Sequence, residues 1–269
     1  MFLILFGRSG ALLGAIVGDI AGSPYENQPV ITEDFPFLTA SSTFTDDTVL
    51  TLAVAESILI ALDYRVLFRE FFRLYPDRGY GDSFKLWAIS GSDEPYGSFG
   101  NGSAMRVSPV GFAFDDLETV LDEATKTALV THDHPEGIRG AQATAAAVFL
   151  ARLSRNKEEI KNYIETSFSY NLDEPIASVR KWYSFDTTCQ GTVPYAIRAF
   201  LESKDYISAV RKAVSLGGDA DTLACIAGGI AHAYYRHIPR SIVDEALRKL
   251  DDRLCSVVER FCSEFSIDI

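Results

Sequence analysis

The segment FTDDTVLTLAVAESIL, residues 44–59, places two adjacent carboxylates at the start of an apolar run whose spacing predicts a helix. Asp46 and Asp47 are flanked by the hydroxyls of Thr45 and Thr48. A helix start needs one capping oxygen, and the helix dipole favours acidic residues there. Four oxygen-bearing side chains in a row exceed that need. Taken alone, the segment is still explained by a well-capped, solvated helix start.

A second stretch, SLGGDADTLACIAGGIAHAYY, repeats this pattern towards the other end of the chain, where Asp219, Asp221 and Thr222 begin another apolar run. In a regular helix, side chains two residues apart point about 200° away from each other. The two aspartates can face one point only if the first lies in a turn, and Gly217 and Gly218 favour such a turn. The sequence therefore predicts two helix starts that each present carboxylates and a hydroxyl.

The chemistry of these two clusters favours a hard divalent cation. Every side chain offers oxygen, which suits Mg²⁺, Mn²⁺ or Ca²⁺ and argues against zinc or copper. Four carboxylates that converge repel one another strongly unless cations lie between them, and two divalent ions would neutralise them. Ordinary capping at each helix start is the alternative. The HDH sequence at 132–134 is a weak zinc motif, because it lacks a third partner.

Two further stretches are candidates for the same site. GALLGAIVGDIAGSPYE is predicted to end a helix in a turn at GSP. Glu26, just past that turn, would act as a base or a gate beside the metals, or else be an exposed loop carboxylate. Asp19 in that helix is expected to be structural and to hold a loop amide. In YGSFGNGSAMR, residues 96–106, the glycines would let backbone N–H groups approach an anion such as a diphosphate. Phe99 would stack on a base or ribose and Asn101 would bond to it, unless the stretch is only a turn.

Composition limits the class of protein. The chain has 269 residues, 47% of them hydrophobic, and a formal net charge of −12, with a pI of about 4.8. This argues against nucleic acids or anionic membranes as primary partners. The four cysteines show no CxxC spacing and are expected to be buried, reduced thiols, which suits the cytoplasm. The apolar start, residues 1–22, lacks the basic region of a signal peptide and is interpreted as the first helix. We expect the protein to be cytoplasmic and monomeric.

Helical periodicity dominates the chain and predicts a single all-α domain, residues 1–269, of roughly ten or more helices. No set of alternating strands stands out, and the glycine-rich segment from Pro76 to Gly111 is interpreted as a functional loop. The predicted helices cover residues 11–21, 47–62, 65–75, 117–130, 137–154, 157–168, 174–183, 193–203, 205–215, 221–235 and 240–264.

Together these motifs resemble the ADP-ribosylglycohydrolases, the group of the dinitrogenase-reductase-activating glycohydrolase. GDIAGSPYE, TDDT, DRGYG, GSFGNGSAMR, the TH pair at 131–132 and SLGGDADT occur in the family order and extend over nearly the whole chain. The GSPYE, DRGYG and GSFGNG forms are most similar to the branch that releases serine-linked and other O-linked ADP-ribose, and less similar to the arginine-specific branch.

The resemblance implies a compact orthogonal bundle with two Mg²⁺, or Mn²⁺, in a central cleft. It also implies roles for individual positions, with Phe99 standing where the family carries a tyrosine. The implied metal ligands are Thr45, Asp46, Asp47, Asp219, Asp221 and Thr222. The implied catalytic residues are Glu26, Asp46, Asp47 and Asp221. The implied substrate-binding residues are Ser98, Phe99, Gly100, Asn101, His132, Gly217 and Gly218.

We therefore predict a hydrolase that removes ADP-ribose from a modified acceptor, with ADP-ribose or an ADP-ribosylated protein as its partner. Two alternatives remain at this point. One is an enzyme acting on a free small molecule such as an O-acyl-ADP-ribose. The other is a non-catalytic ADP-ribose-binding or crystallin-like relative, which the complete metal-ligand set and Glu26 argue against.

Overall fold

The computed structural model describes residues 12–153 and 155–265, and these are mostly helical. The all-α prediction is confirmed: the described residues form no β-strand, and one isolated bridge pairs Gly100 with Thr188. No helix in the described ranges is long and apolar enough to cross a membrane. The part of the predicted first helix and of the apolar start that precedes Leu12 lies outside the described residues.

Fifteen helices follow one another in the described part of the chain. They are α1 (Leu13–Glu26), α2 (Asp46–Ile60), α3 (Tyr64–Leu74), α4 (Asp82–Ser90), α5 (Gly102–Met105), α6 (Ser108–Ala113), α7 (Leu117–Leu129), α8 (Pro135–Arg152), α9 (Lys157–Phe168), α10 (Ile176–Val179), α11 (Cys189–Leu201), α12 (Tyr206–Val214), α13 (Ala220–Tyr235), α14 (Arg240–Leu247) and α15 (Asp252–Glu264).

Several predicted segments differ from the observed ones, and two of them differ in the number of helices that they contain. The segment expected as a loop, 76–111, contains α4, α5 and most of α6. These helices are short, and their buried faces pack on neighbouring helices, so sequence periodicity reveals them poorly. The predicted helix 240–264 is two helices, because the Asp251 carboxylate accepts a hydrogen bond from the Leu254 amide and starts α15 afresh.

The first helix is longer than predicted, because the GSP sequence is helical and not a turn. Pro24 has no N–H to offer the Ile20 carbonyl, and the Ser23 hydroxyl donates to that carbonyl instead, at 3.1 Å. As a result, α1 continues to Glu26. The backbone position of Glu26 is therefore set by a helix that is buried along most of its length.

The most extensive helix pair in the fold is α1 with α13. Gly14, Gly18 and Gly22 form a stripe on α1, and a Cβ atom at any of them would overlap the backbone of α13. Gly22 meets the start of α13 and Gly14 meets Gly228 further along, so the two helices run antiparallel. This close, antiparallel packing brings the end of α1 to the start of α13.

Asp19 attaches the start of α2 to the middle of α1. It is fully buried, and its carboxylate accepts hydrogen bonds from the Thr45 and Thr48 amides at 3.0 and 3.1 Å. Both threonine hydroxyls donate to it as well. The structural role predicted for Asp19 is therefore confirmed. Because Asp19 caps α2 from another helix, the two acidic residues that follow Thr45 are placed beside the end of α1.

The four cysteines are all free thiols. Three are buried as predicted, and Cys255 is half-buried. Burial raises the pKa of Cys189 and of Cys262 to about 12, which leaves these thiols protonated and unreactive near neutral pH.

Candidate active site

A cleft of about 360 Å³ opens where the end of α1 and the starts of α2 and α13 meet the glycine-rich stretch. Most of the site residues predicted from the sequence lie along it. Those lining the cleft are Glu26, Thr45, Asp46, Asp47, Ser98, Gly100, Asn101, His132, Asp219, Asp221 and Thr222. Phe99, Gly217 and Gly218 are not among the lining residues.

The start of α2 contributes Asp46 and Asp47. Thr45 is the N-cap, and its hydroxyl oxygen accepts a hydrogen bond from the Asp47 amide at 3.3 Å. Asp47 is buried, and its Oδ2 accepts a hydrogen bond from the Thr222 hydroxyl at 3.3 Å. The two predicted helix starts are thus in direct contact across the cleft, although they are far apart in the sequence.

The start of α13 contributes Asp219 and Asp221, which the structure joins to Glu26. Carboxylate oxygens of these three residues all lie within 4.8 Å of one another. Gly217 has φ +72°, so the turn before α13 has the left-handed backbone that the glycine pair predicted. Asp219 stands at the N-cap, outside the regular helix, and therefore faces the same point as Asp221.

Asn101 supports this second cluster from the glycine-rich stretch. Its Nδ2 donates to Asp219 Oδ2 at 2.7 Å and to the Thr192 hydroxyl at 3.0 Å. Asn101 is itself 6% exposed. From the sequence, the Asn101 side chain is expected to bond to the ligand. In the structure, its Nδ2 donates to the Asp219 carboxylate and orients it.

The crowding of carboxylates changes their acidity. Burial raises the pKa of Asp46, Asp47 and Asp221 well above the ordinary value, and the neighbouring carboxylates raise it further. The pKa of Glu26 is raised for the same reasons. Both causes disfavour the charged form, so a cation placed among these groups would be strongly attracted.

The donor set fits hard divalent cations. Glu26, Asp219 and Asp221 are close enough for one ion to reach all three. Asp47 Oδ1 is a buried acceptor with no hydrogen-bond partner among the described residues, and such an atom is costly unless something binds it. Oxygen ligands alone, without sulfur or imidazole, match Mg²⁺ or Mn²⁺ better than zinc.

Arg106, the last residue of YGSFGNGSAMR, brings a positive charge to the cleft, and its part in the site was not predicted from the sequence. Its side chain is fully buried and lines the cleft. Nη2 donates to the Thr127 carbonyl and the Thr131 hydroxyl, each at 2.8 Å. Nε and Nη1 have no partner among the described residues. The one feature of the sequence that could have indicated a role for Arg106 is that it is the single basic residue of that stretch.

The glycine-rich stretch is fastened to the segment before α11. The Asn101 amide donates to the Thr187 carbonyl at 2.7 Å, and the Gly100 amide donates to the Ser98 hydroxyl at 3.1 Å. These two N–H groups are therefore used within the protein. The Phe99 ring is 46% exposed and packs beside His134, with ring centres 5.3 Å apart.

A family model, two relatives and a solved structure each match most of this chain. A family described as ADP-ribosylglycohydrolase matches residues 8–267. The chain is 28% identical over 301 residues to ADP-ribosylhydrolase ARH3 of Xenopus tropicalis, covering 84% of this chain and 86% of that protein. It is 26% identical to ADP-ribosylarginine hydrolase Tri1 of Pseudomonas putida, covering 84% and 70% respectively. A solved structure described as an ADP-ribosylglycohydrolase-related protein complex matches with a TM-score of 0.72 and 26% identity, covering 95% of this chain and 96% of that one.

Proposed function

Because the chain belongs to the ADP-ribosylglycohydrolase family, a family of glycosidic-bond hydrolases, we propose that it releases ADP-ribose from a modified acceptor with two divalent metal ions. Mg²⁺ is the proposed ion, with Mn²⁺ as an alternative. The observation that carries this proposal is the convergence of two acidic helix starts and the end of α1 on one cleft. Capping alone explains neither the contact between the two clusters nor the position of Glu26 between helices.

The residues proposed to hold the ions come from both helix starts. Thr45, Asp46 and Asp47 belong to one start, and Asp219, Asp221 and Thr222 to the other. When bound, such ions would offset the carboxylate charge and hold the vicinal hydroxyls of the ribose that carries the scissile bond.

Glu26 is proposed as the residue that moves a proton. It is half-buried at the cleft, and burial together with the neighbouring carboxylates raises the pKa of its carboxyl, a shift in the direction that favours general acid–base chemistry. Its oxygens would take a proton from the attacking water and return one to the leaving group. Because Glu26 also lies with Asp219 and Asp221, a metal-ligand role is the competing assignment, and the two are separable by experiment.

The diphosphate is proposed to bind beside Arg106 and His132, which line the cleft. Arg106 carries the buried positive charge that an acidic protein needs in order to bind an anion. Phe99, at the exposed rim, is proposed to contact the adenosine or the distal ribose.

For the bond that is cleaved, we propose an O-glycosidic linkage such as ADP-ribosyl-serine. The motif forms GSPYE, DRGYG and GSFGNG support this branch, as does the similarity to ADP-ribosylhydrolase ARH3. An N-linked acceptor remains the competing assignment, because ADP-ribosylarginine hydrolase Tri1 is also similar.

The test is a release assay on serine-linked, arginine-linked and O-acyl-linked ADP-ribose, with protein stripped by EDTA and then supplied with Mg²⁺ or Mn²⁺. We expect turnover of one linkage class, loss of turnover after chelation, and recovery with either ion. Asp47→Asn should be inactive, whereas Asp116→Asn, which changes an exposed helix cap of α7, should match the unmodified protein. Full activity after exhaustive chelation, or tight ADP-ribose binding without release from any substrate, would refute the proposal.

A further inference from the structure

We propose that Thr131 is a positioning residue that holds the ring proton of His132 on Nε2, where it faces the ligand cleft as a hydrogen-bond donor. The inference rests on the proposed function in one respect only, which is that the cleft binds an anionic ligand. It concerns two neighbouring residues that follow the end of α7 and the buried Arg106 beside them.

The direction of the hydrogen bonds follows from Arg106. A guanidinium donates and never accepts, so the Thr131 hydroxyl oxygen must be the acceptor of the 2.8 Å bond from Arg106 Nη2. The same hydroxyl lies 2.7 Å from His132 Nδ1. Its one proton can be donated to that nitrogen. If so, Nδ1 is an acceptor, and a neutral imidazole then carries its proton on Nε2.

The competing arrangement would send the Thr131 proton elsewhere and leave Nδ1 protonated. The phenol of Tyr96 is the candidate acceptor, since it lies beside Thr131 and its ring centre is 5.9 Å from that of His132. Of these two contacts of the Thr131 hydroxyl, however, the one with His132 Nδ1 has the distance of a normal hydrogen bond, 2.7 Å. That short distance favours donation from Thr131 to the ring.

The other ring nitrogen faces the glycine-rich stretch. Nε2 would lie 3.1 Å from a Cβ atom at Gly102 and 3.6 Å from one at Gly100, and no described residue accepts a hydrogen bond from it. His132 is only 5% exposed and lines the cleft. Burial, together with the nearby guanidinium of Arg106, holds the pKa of His132 well below its usual range, so the ring stays neutral.

These observations assign the free Nε2–H to the ligand. A neutral imidazole with a fixed tautomer donates a hydrogen bond without adding a charge beside Arg106, so the two groups can bind one anion together. Without the Thr131 hydroxyl, both tautomers become available. The one protonated on Nδ1 would turn a lone pair towards an anionic oxygen.

The experiment is nitrogen-15 NMR of the histidine rings in the full-length protein without ligand, with His132 assigned by the signals lost in His132→Gln. We expect an unprotonated Nδ1 and a protonated Nε2. Thr131→Val, which keeps the shape and removes the hydroxyl, should give a mixture of tautomers and ADP-ribose binding weaker by on the order of tenfold. Thr131→Ser restores the hydroxyl and should restore both properties.

Thr127→Val is the matched control, because this threonine is equally buried and its hydroxyl donates within α7, while Arg106 contacts only its carbonyl. It should leave the ring signals unchanged. Protonation of Nδ1 in the unmodified protein, or an unchanged tautomer in Thr131→Val, would overturn the inference. If Thr131→Val does not fold, the spectra of the unmodified protein and of Thr131→Ser decide. Since the spectra need no substrate, failure of the hydrolase proposal is detected separately, by the release assay.

Discussion

Replacing Asp221 with asparagine distinguishes a metal ligand from a helix cap. Asparagine keeps an oxygen that can cap α13, so a capping role predicts a change of only a few tenths of a kcal/mol. A ligand role predicts two opposite effects. Without metal, the variant should be more stable, because one of three carboxylates whose oxygens lie within 4.8 Å of one another is removed. With metal, the variant should gain much less stability than the unmodified protein.

The structure sets the size of the first effect. Two unit charges 4.8 Å apart repel by about 3.5 kcal/mol at an effective dielectric constant of about 20. Because burial and its acidic neighbours raise the pKa of Asp221, proton uptake relieves part of this repulsion in the metal-free protein. We therefore expect Asp221→Asn to gain about 1–3 kcal/mol at about pH 8 in EDTA. That corresponds to a rise of roughly 2–10 °C in Tm.

The second effect follows from binding linkage. Mg²⁺ at 100 times its Kd stabilises the unmodified protein by about 2.7 kcal/mol, and a hundredfold weaker site at the same concentration gives about 0.4 kcal/mol. The assay is thermal melting of both proteins with EDTA and with Mg²⁺. Asp205→Asn, which changes an exposed cap on α12, should keep the full Mg²⁺ shift. An equal Mg²⁺ shift in Asp221→Asn and in the unmodified protein would refute its assignment as a ligand.

Three further predictions concern the same cleft. Glu26→Gln should lower kcat by roughly 10²–10⁴-fold with ADP-ribose binding nearly intact. An unchanged kcat would show that Glu26 takes no part in the reaction. Loss of the Mg²⁺-dependent Tm shift would identify it as a metal ligand instead. Phe99→Ala should weaken ADP-ribose binding about fivefold through lost stacking while leaving the Mg²⁺ shift unaltered, and unchanged affinity would move the ligand contact elsewhere. Because folding raises the pKa values of Asp46, Asp47 and Asp221, the metal-free folded state binds more protons than the unfolded state. The Tm in EDTA should therefore fall as the pH rises from about 5 to about 8. A rise of Tm over this interval would contradict the direction of these pKa shifts.

Much of the fold could be predicted because most helices carry their own signals. The apolar periodicity of α2, α7, α9 and α13 placed these helices to within a few residues. The helices that were missed, α4 to α6, have at most nine residues each and form through packing. The continuation of α1 through Pro24 was missed because a proline is ordinarily a helix breaker, and the compensating Ser23 hydroxyl is a detail of local geometry.

For the site, the sequence by itself determined the acidic helix starts, their oxygen chemistry and the turn before Asp219. Each of these depends on residues a few positions apart, where capping and backbone preference act. Only the tertiary structure decided that Glu26 joins Asp219 and Asp221, since that contact depends on two helices packing closely along a glycine stripe. It also decided that Arg106 is a buried cation facing the cleft. A burial of that kind depends on segments remote in sequence, whose packing no local pattern encodes.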